Sequence, residues 1–319
     1  MSPKELYSRY STPDLPLFHQ PFWLNATAQE NWDVALVKEG DKIIASMPYA
    51  FEKKKPILFI RGPHLTQFLG PHYSIEASNH REYLNRETEI LNLLIDQLPP
   101  FAFFEQRWHF HYQNYLPFHW KNFQQRTRYT YILPNLKDES ALLNGFNEKI
   151  KREIKKGENA FHVQSENISA DSFYRFIESN LSDKKYQLPF DTVFFERLYN
   201  SCVQNNAGKI FLALDADQKI AAGIFVAWDA TTAYYIIGAK DNDYGNSGAM
   251  TFLFSRVFKE LSEKVTVFNF EGSMISGVER YFRSFGAIQK TFFEITRTDS
   301  KLVFLTGEIK KTIHFLFRK

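Results

Sequence analysis

The chain has 319 residues, of which 44% are hydrophobic and 17% aromatic, so it can bury large cores and is not an intrinsically disordered chain. Its formal net charge of +3 at pH 7 is too small to indicate general nucleic-acid binding by itself. The single cysteine, Cys202, excludes an intramolecular disulfide, and we expect it to be an ordinary buried thiol.

The N-terminal residues favour a cytoplasmic protein. Residues 1–20 lack the apolar core of a signal peptide, and no run in the sequence approaches the roughly 20 apolar residues of a membrane span. A chain with one cysteine also favours a reducing compartment. We therefore expect a cytoplasmic location and no transmembrane segment.

Two segments predict the same hairpin. Residues 33–49 and 210–228 each read as two strands around a short turn, and ALVKEGDKIIAS aligns without gaps over LALDADQKIAAG. A helix and a strand follow in each case, with ETEILNLLIDQL before FAFFE and AMTFLFSRVFKEL before VTVFNFE. This repetition predicts two α/β domains, residues 1–134 and residues 135–319, a number that also fits roughly 150 residues per domain.

The aromatic stretch before Pro134 reads as strand-like. His109 and His111 at alternate positions of a strand would point both rings to one face, where they could hold zinc together with His119. No cysteine or carboxylate stands at metal-ligand spacing beside them. We therefore expect aromatic packing here and no metal site.

Residues 137–158 predict one helix that carries a basic face. Asp138 or Ser140 can cap it and Gly157 can end it, while an apolar stripe comprises Leu143, Phe146, Ile150 and Ile154. The basic residues could contact phosphates of a substrate, or they could form a solvated face that complements the helix dipole. They are Lys149, Lys151, Arg152, Lys155 and Lys156.

The segment DYGNSGAMTFLF, residues 243–254, predicts a glycine-containing loop that opens a helix. Exposed backbone amides at a helix N-terminus bind a phosphate or a carbonyl oxygen without a charged side chain. An ordinary loop before a capped helix is the alternative. The candidate ligand-binding residues are Tyr244, Gly245, Asn246, Ser247, Gly248 and Ala249.

The segment FNFEGSMISGVERYFRSFGA, residues 268–287, predicts a strand, a tight turn and a short helix. Ser276 and Glu279 have capping-box spacing, Gly286 fits a left-handed C-cap, and the expected buried stripe comprises Val278, Tyr281, Phe282 and Phe285. Glu271 follows the strand, where ligands bind in open α/β sheets.

Two residues of this segment are candidates for catalysis. Glu271 could remove a proton from an attacking amine, and Arg283 could stabilise a phosphate or a developing oxyanion. Solvation, or pairing with each other, is the alternative for both. The last segment, KLVFLTGEIKKTIHFLFRK, could either make weak peripheral contact with a membrane surface or dock on the core.

Four stretches carry a resemblance to a known family. They are HQPFWLNAT, RYTYILPNL leading into FNEKIKREIKKGE, YIIGAKDNDYGNSGAMTFLF, and FNFEGSMISGVERYFRSFGA. In this order the chain resembles tandem members of the GNAT N-acyltransferase superfamily, in the branch related to the Fem peptidoglycan-bridge aminoacyltransferases. The resemblance implies two GNAT-like domains, each a mixed sheet flanked by helices, with an inter-domain cleft.

The resemblance also implies an activity. It implies transfer of an acyl or aminoacyl group to an amine, with acyl-CoA or aminoacyl-tRNA as co-substrate and with neither a metal nor a tightly bound cofactor. The acceptor would be an amine-bearing small molecule or a cell-envelope precursor, and tRNA would be a partner. Residues 245–249 fall where the superfamily cradles the donor's phosphates, and Arg283 falls on a basic position of its last helix.

One departure from the family favours another function. Asp243 and Tyr244 stand where the superfamily usually has Arg or Gln ahead of the glycines. The alternative is therefore a non-catalytic module that keeps the GNAT fold and binds an envelope precursor or a protein partner.

Overall fold

The computed structural model describes residues 1–54, 57–182, 187–272 and 274–299. The helices are α1 (Pro3–Tyr10), α2 (Pro21–Ala28), α3 (His80–Asp96), α4 (Leu116–Trp120), α5 (Glu139–Gly145), α6 (Glu148–Glu158), α7 (Ala170–Ser182), α8 (Thr192–Gln204), α9 (Ala249–Leu261) and α10 (Ser276–Arg283). The strands are β1 (Trp32–Glu39), β2 (Lys42–Lys54), β3 (Ile57–Ile60), β4 (His72–Tyr73), β5 (Phe103–Arg107), β6 (Gln124–Leu133), β7 (His162–Gln164), β8 (Gly208–Leu214), β9 (Ile220–Trp228), β10 (Thr232–Lys240), β11 (Val267–Asn269) and β12 (Ile288–Thr298). The segment 301–319, for which membrane contact or docking was expected, lies outside the described residues.

The chain divides into two compact units, and neither is continuous in sequence. Unit 1 contains residues 1–11, residues 28–128 and the described residues from Phe292 onward; unit 2 contains residues 12–27 and 129–291. The domain boundary at residue 134, expected from the repeated segments of the sequence, stays a prediction. No helix in the described ranges is both long and apolar enough to cross a membrane.

Unit 1 is built on a mixed sheet. Its strands follow the order β1-β2-β3-β5-β12, and β4 pairs with β2. β3 and β5 run parallel, whereas the β1–β2, β2–β3 and β5–β12 pairs are antiparallel. Apolar side chains of α3 and of the sheet form its buried core, which includes Met47, Ile90, Leu94, Phe104 and Ile295.

Unit 2 is also built on a mixed sheet. Its strands follow the order β6-β11-β10-β9-β8-β7, in which β10 and β11 are parallel and the other pairs are antiparallel. The apolar face of α9 packs into an aromatic core, as the periodicity of its sequence predicts. That core includes Leu253, Phe254, Val257, Phe258, Phe268 and Phe285.

The repeated hairpin is confirmed in both places. β1 pairs with β2 and β8 pairs with β9, each in antiparallel register across a short turn. The predicted order of helix before strand also holds, because α3 precedes β5 and α9 precedes β11. Mixed α/β architecture follows from these elements, and the fold class predicted from the sequence is confirmed.

The single helix predicted over residues 137–158 is wrong, because the structure has two helices there. Asp138 caps α5 by accepting a hydrogen bond from the Ala141 N–H at 2.9 Å. The chain then turns at Asn147, whose side chain accepts from the Ile150 N–H at 2.9 Å and caps α6. The Asn147 N–H donates to the Ser284 carbonyl at 3.0 Å, a tertiary bond that a continuous helix would lose.

Gly157 is the penultimate residue of α6, and its carbonyl accepts a hydrogen bond from the N–H of the C-cap residue Asn159. A Cβ atom built on Gly157 would come within 2.3 Å of the Phe252 Cβ, so the absence of a side chain lets α6 approach α9 closely. The exposed Leu143 also does not belong to the buried stripe, whereas Phe146 and Ile150 do.

The strand predicted through His109 and His111 is wrong. β5 ends at Arg107, and the chain then turns, with the Tyr112 N–H donating to the His109 carbonyl at 2.9 Å. The His109 and His111 rings lie 4.5 Å apart between centroids. Within the described part of the chain, no group of three or more His, Cys, Asp or Glu side chains is arranged to hold a metal ion.

The capping box predicted for α10 is wrong as well. The helix is preceded by Ile275 as N-cap, without a side-chain capping bond. Glu279 instead accepts a hydrogen bond from the Tyr131 hydroxyl at 3.0 Å. Val278 is 37% exposed and lies outside the buried stripe, while Gly286 takes the expected left-handed conformation with φ of +74°.

Candidate functional site

The parallel pairing between β10 and β11 ends before the loops that carry the candidate residues. The two strands pair from Thr232 and Val267 to Tyr234 and Asn269, after which β10 continues to Lys240 paired with β9. The pairing of β10 with β9 shifts register between Tyr235 and Ile237. The candidate residues follow the carboxyl ends of these two parallel strands, the usual location of ligands in α/β sheets.

The loop after β10 enters α9 through a left-handed glycine. Gly248 has φ of +83°, and a Cβ atom at this position would lie 2.3 Å from the Glu153 carbonyl oxygen. Both the conformation and the close approach therefore require glycine. The Phe252 N–H makes the first helical bond to the Gly248 carbonyl at 2.8 Å, so the amides of the preceding turn have no acceptor within the helix.

A cavity of about 250 Å³ lies at this helix N-terminus. Backbone and side chains of the loop and of the first turn of α9 form one part of its wall: Gly245, Asn246, Gly248, Ala249, Met250 and Thr251. Glu153, Lys240 and Tyr281 complete it. Four of the six ligand-binding candidates in the loop thus line one cavity.

Three polar side chains of this wall form a hydrogen-bonded chain. The Thr251 hydroxyl donates to Glu153 Oε2 at 2.6 Å and lies 3.0 Å from the Tyr281 hydroxyl. Because Thr251 has one hydroxyl proton and gives it to Glu153, the Tyr281 hydroxyl donates to Thr251. Burial raises the pKa of Tyr281 far above its ordinary value, so the phenol stays protonated.

Two lysines hold the loop by its carbonyl groups. Lys156 Nζ donates to the Asn246 carbonyl at 2.6 Å, and Lys240 Nζ donates to the Gly245 carbonyl. Lys156 belongs to the basic helix α6, which contacts α9 closely at Gly157. The structure therefore brings the glycine loop and the basic helix together, although 90 residues separate Lys156 from Asn246.

The other basic residues of α6 are exposed to solvent. Lys149 Nζ lies 3.7 Å from Glu153 Oε1, and Lys151 Nζ lies 3.1 Å from Glu148 Oε1. Arg152 and Lys155 are exposed and form no ion pair with any described residue. Their charges are therefore available to an anionic ligand.

Tyr244 and Ser247 have structural partners instead of facing the cavity. The Tyr244 hydroxyl donates to Asp215 Oδ2 in the turn between β8 and β9. This hydrogen bond raises the pKa of Tyr244 to about 12 and lowers the pKa of Asp215. The Ser247 hydroxyl accepts from the Ala249 N–H at 3.3 Å, which supports the start of α9.

Glu271 and Arg283 lie outside the wall of the cavity. Glu271 is half-buried in a left-handed conformation with φ of +59°, and its N–H donates to Asn269 Oδ1 at 2.9 Å. Arg283 Nε lies 3.2 Å from Glu279 Oε1, and its side chain is 64% exposed. The catalytic roles of both residues stay predictions.

Five wall residues of the cavity were not predicted from the sequence: Glu153, Lys240, Met250, Thr251 and Tyr281. The sequence offered one indication of a role for Glu153, which is its position as an acidic residue within a run of basic residues. Tyr281 and Thr251 read as ordinary members of helix faces, because only the tertiary packing of α6, α9 and α10 brings their hydroxyl groups together.

Comparison with known proteins agrees with this arrangement. Residues 144–283 match the family described as acetyltransferase (GNAT) domain, a range that contains α6, the glycine loop and α10. No curated protein is similar enough to this chain to count as a relative.

Solved structures share the fold across nearly the whole chain. FemX has a TM-score of 0.66 at 12% identity, covering 91% of this chain and 94% of its own. The C-terminal domain of a protein described as a lysylphosphatidylglycerol synthetase, from Agrobacterium fabrum, has a TM-score of 0.54 at 9% identity, covering 97% and 94%. L-PGS from Bacillus licheniformis has a TM-score of 0.53 at 12% identity, covering 91% and 94%. Residues 144–283 therefore match the GNAT domain family, and the chain shares its overall fold with FemX and with these two proteins.

Proposed function

We propose that this protein is an N-acyltransferase that moves an acyl or aminoacyl group from a phosphate-bearing donor to an amine. The observation that carries the proposal is the cavity at the N-terminus of α9, which is lined by Gly248 and by the residues of the first turn of this helix. Helix N-termini stabilise phosphate through these amides and through the helix dipole. Lys156 and Lys240 add positive charge next to the same loop.

The positive charge of α6 near the cavity supports a donor that carries phosphate groups. α6 presents Arg152 and Lys155 to solvent, and such side chains contact phosphates without reading a base sequence. Acyl-CoA and aminoacyl-tRNA share this phosphate chemistry, so both are proposed as donors. Neither would be a tightly bound cofactor, since each is consumed in the reaction.

The reaction requires little beyond positioning. The amine nitrogen attacks the carbonyl carbon of the donor, a C–N bond forms, and the C–S or C–O bond to the leaving group breaks. The amine loses a proton, and the leaving thiolate or alkoxide gains one. Holding both partners in contact supplies most of the acceleration.

Glu271 is proposed to accept the proton of the attacking amine, because it follows β11 at the sheet edge where the pairing with β10 ends. Arg283 is proposed to stabilise negative charge on the donor, for which it would have to leave Glu279. Both roles rest on the position of these residues in the sequence and fold.

A cell-envelope precursor with a free amine is the proposed acceptor, in a cytoplasmic protein. The fold shared with FemX and with proteins named for lysylphosphatidylglycerol synthesis supports this choice over a metabolite without envelope function. Direct contact of the protein with tRNA belongs to the same proposal, because the aminoacyl group would arrive on tRNA.

The proposal is tested by looking for product. Purified protein is incubated with acetyl-CoA, a longer acyl-CoA or aminoacyl-tRNA and a panel of amines, and acylated amines are identified by mass spectrometry. We expect product with one donor class, and loss of product in Gly248→Glu, because its Cβ atom would meet the Glu153 carbonyl oxygen at 2.3 Å and displace the loop that lines the cavity. Gly40→Glu is the matched control, since it makes the same substitution at a glycine with φ of +58°, in the turn between β1 and β2, where nothing lies within 4 Å of a Cβ atom.

One observation favours a second function. Tyr244, which stands where the superfamily has Arg or Gln, is tied to Asp215 and does not line the cavity. A protein without a competent donor loop would act as a binding module for an envelope precursor or a protein partner. Absence of product with every donor, despite intact folding, would favour this module over the enzyme.

A further inference from the structure

Unit 1 contains three arginines that surround one buried glutamate. The side chain of Glu294, on β12, is 5% exposed. Arg128 Nη2 lies 2.9 Å from one carboxylate oxygen and 3.0 Å from the other, and Arg107 Nε lies 3.1 Å from Glu294 Oε2. Arg126 Nη1 approaches Glu294 Oε1 at 3.7 Å.

Glu294 is held in its charged form by these neighbours. Burial alone would raise the pKa of Glu294, but the hydrogen bonds from Arg128 and the charges of Arg128 and Arg107 outweigh burial and lower it. The bidentate contact with Arg128 already neutralises this carboxylate with good geometry. Arg126, whose Nη1 lies 3.7 Å from Glu294 Oε1, adds a third positive charge beside this carboxylate.

Positive charge remains in excess around this carboxylate. Glu105 is the second acidic group, and its Oε1 lies 4.0 Å from Arg107 Nη2. Three guanidinium groups thus face two carboxylates. The excess is directed to solvent, because the Arg126 side chain is 64% exposed and the Arg107 side chain is 44% exposed.

The side chains of this cluster are oriented before any ligand arrives. Glu294 accepts hydrogen bonds from Arg107 and Arg128 and so fixes the directions of their remaining N–H groups. A planar guanidinium with free N–H groups matches the oxygen atoms of a phosphate better than a flexible ammonium does. Less rotamer freedom is lost on binding when the arginines are held in this way.

We propose that Arg107, Arg126 and Arg128 form a phosphate-binding site in unit 1, with Glu294 as its positioning residue. The site consists of residues other than those of the cavity at α9, and it does not depend on the proposed transfer reaction. Its ligand is an anion that presents a phosphate or diphosphate group, either free in solution or on a lipid headgroup.

The test compares two exposed arginines. Binding of inorganic pyrophosphate is measured by calorimetry for the wild type, for Arg126→Gln and for Arg175→Gln. Arg175 is the matched control, because its side chain is 75% exposed and pairs with Asp171 in unit 2. Any pyrophosphate bound at the α9 cavity contributes equally to all three proteins.

We expect Arg126→Gln to weaken pyrophosphate binding about tenfold, as loss of one charge-assisted contact should, and Arg175→Gln to leave it unchanged. Equal affinities of the two variants would overturn the proposal, as would absence of saturable binding by the wild type. Arg128→Gln is a second variant, and its binding is compared only after its thermal melt matches that of the wild type.

Vesicles separate the two sources of the phosphate. Phosphatidylglycerol vesicles that sediment the wild type but not Arg126→Gln, with phosphatidylcholine vesicles as the control, would identify a lipid headgroup. Pyrophosphate binding that depends on Arg126, without vesicle binding, would identify a soluble ligand. Vesicle binding that Arg126→Gln leaves unchanged, together with unchanged pyrophosphate affinity, would contradict the site.

Discussion

Replacing Gly248 by alanine tests the close approach of α6 to the loop that opens α9. The new Cβ atom would lie 2.3 Å from the Glu153 carbonyl oxygen and 3.1 Å from its carbonyl carbon. Both partners are backbone atoms, so neither can rotate away. The loop must move by about 1 Å to restore an ordinary contact, and the amides of the first turn of α9 must move with it.

The cost of this substitution has two parts. A residue with a Cβ atom in the left-handed conformation costs roughly 1–2 kcal/mol, and crowding a packed site typically costs about 1–3 kcal/mol more. We therefore expect Gly248→Ala to lower the free energy of unfolding by about 3 kcal/mol. Gly40→Ala, in the turn between β1 and β2, should cost only about 1 kcal/mol, because φ is +58° there and no atom lies within 4 Å of a Cβ atom.

Urea denaturation followed by tryptophan fluorescence measures both variants. Gly248→Ala should unfold at a lower midpoint concentration of urea than the other variant, while the slope of the unfolding free energy against urea concentration stays the same. Equal losses for the two variants would refute the reasoning, because the contact with Glu153 would then contribute nothing beyond backbone conformation.

Three further perturbations have defined outcomes. Gly277→Ala, in the first turn of α10 with no atom within 4 Å of a Cβ atom, should stabilise the protein by roughly 0.5–1 kcal/mol in the same denaturation assay, and a destabilised variant would contradict this. Burial, and secondly the charge of His111, lower the pKa of His109 to about 3 in the folded protein, whereas its pKa in the unfolded chain is about 6.5. The unfolded state therefore binds more protons than the folded state as the pH falls below about 6.5. The free energy of unfolding should then decrease by up to roughly 1.4 kcal/mol per pH unit. His109→Gln should flatten this dependence between pH 7 and pH 5, and an unchanged slope would exclude His109 as its source. Thr130→Val should cost about 1–3 kcal/mol, because the Thr130 hydroxyl donates to buried Asn269 Oδ1 at 2.6 Å, and a loss below about 0.5 kcal/mol would show that this hydrogen bond contributes little.

Patterns local in sequence predicted much of the fold. The two hairpins, the start of α9 at Gly248 and the left-handed Gly286 depend on turn residues and on periodicity within a few positions. The basic helix was also predicted, because the spacing of Ile150 and Ile154 gives it one apolar face.

The errors occurred where tertiary contacts decide the local structure. Asn147 breaks the predicted helix because its N–H bonds to Ser284, far away in sequence. Glu279 accepts a hydrogen bond from the Tyr131 hydroxyl instead of completing a capping box, and these two residues are again far apart in sequence. The hydroxyl pair of Thr251 and Tyr281 could not be read from either segment alone, since it exists only when α9 and α10 pack together.

We propose that the N-terminus of α9 binds a phosphate-bearing acyl donor. Calorimetric titration of acetyl-CoA, a longer acyl-CoA, and charged and uncharged tRNA, at two salt concentrations, tests it most directly. We expect saturable binding of at least one donor, weaker at the higher salt concentration because phosphate contacts release counterions, and loss of that binding in Gly248→Glu. Failure of the folded wild type to bind any donor, or binding that Gly248→Glu leaves unchanged, would contradict it.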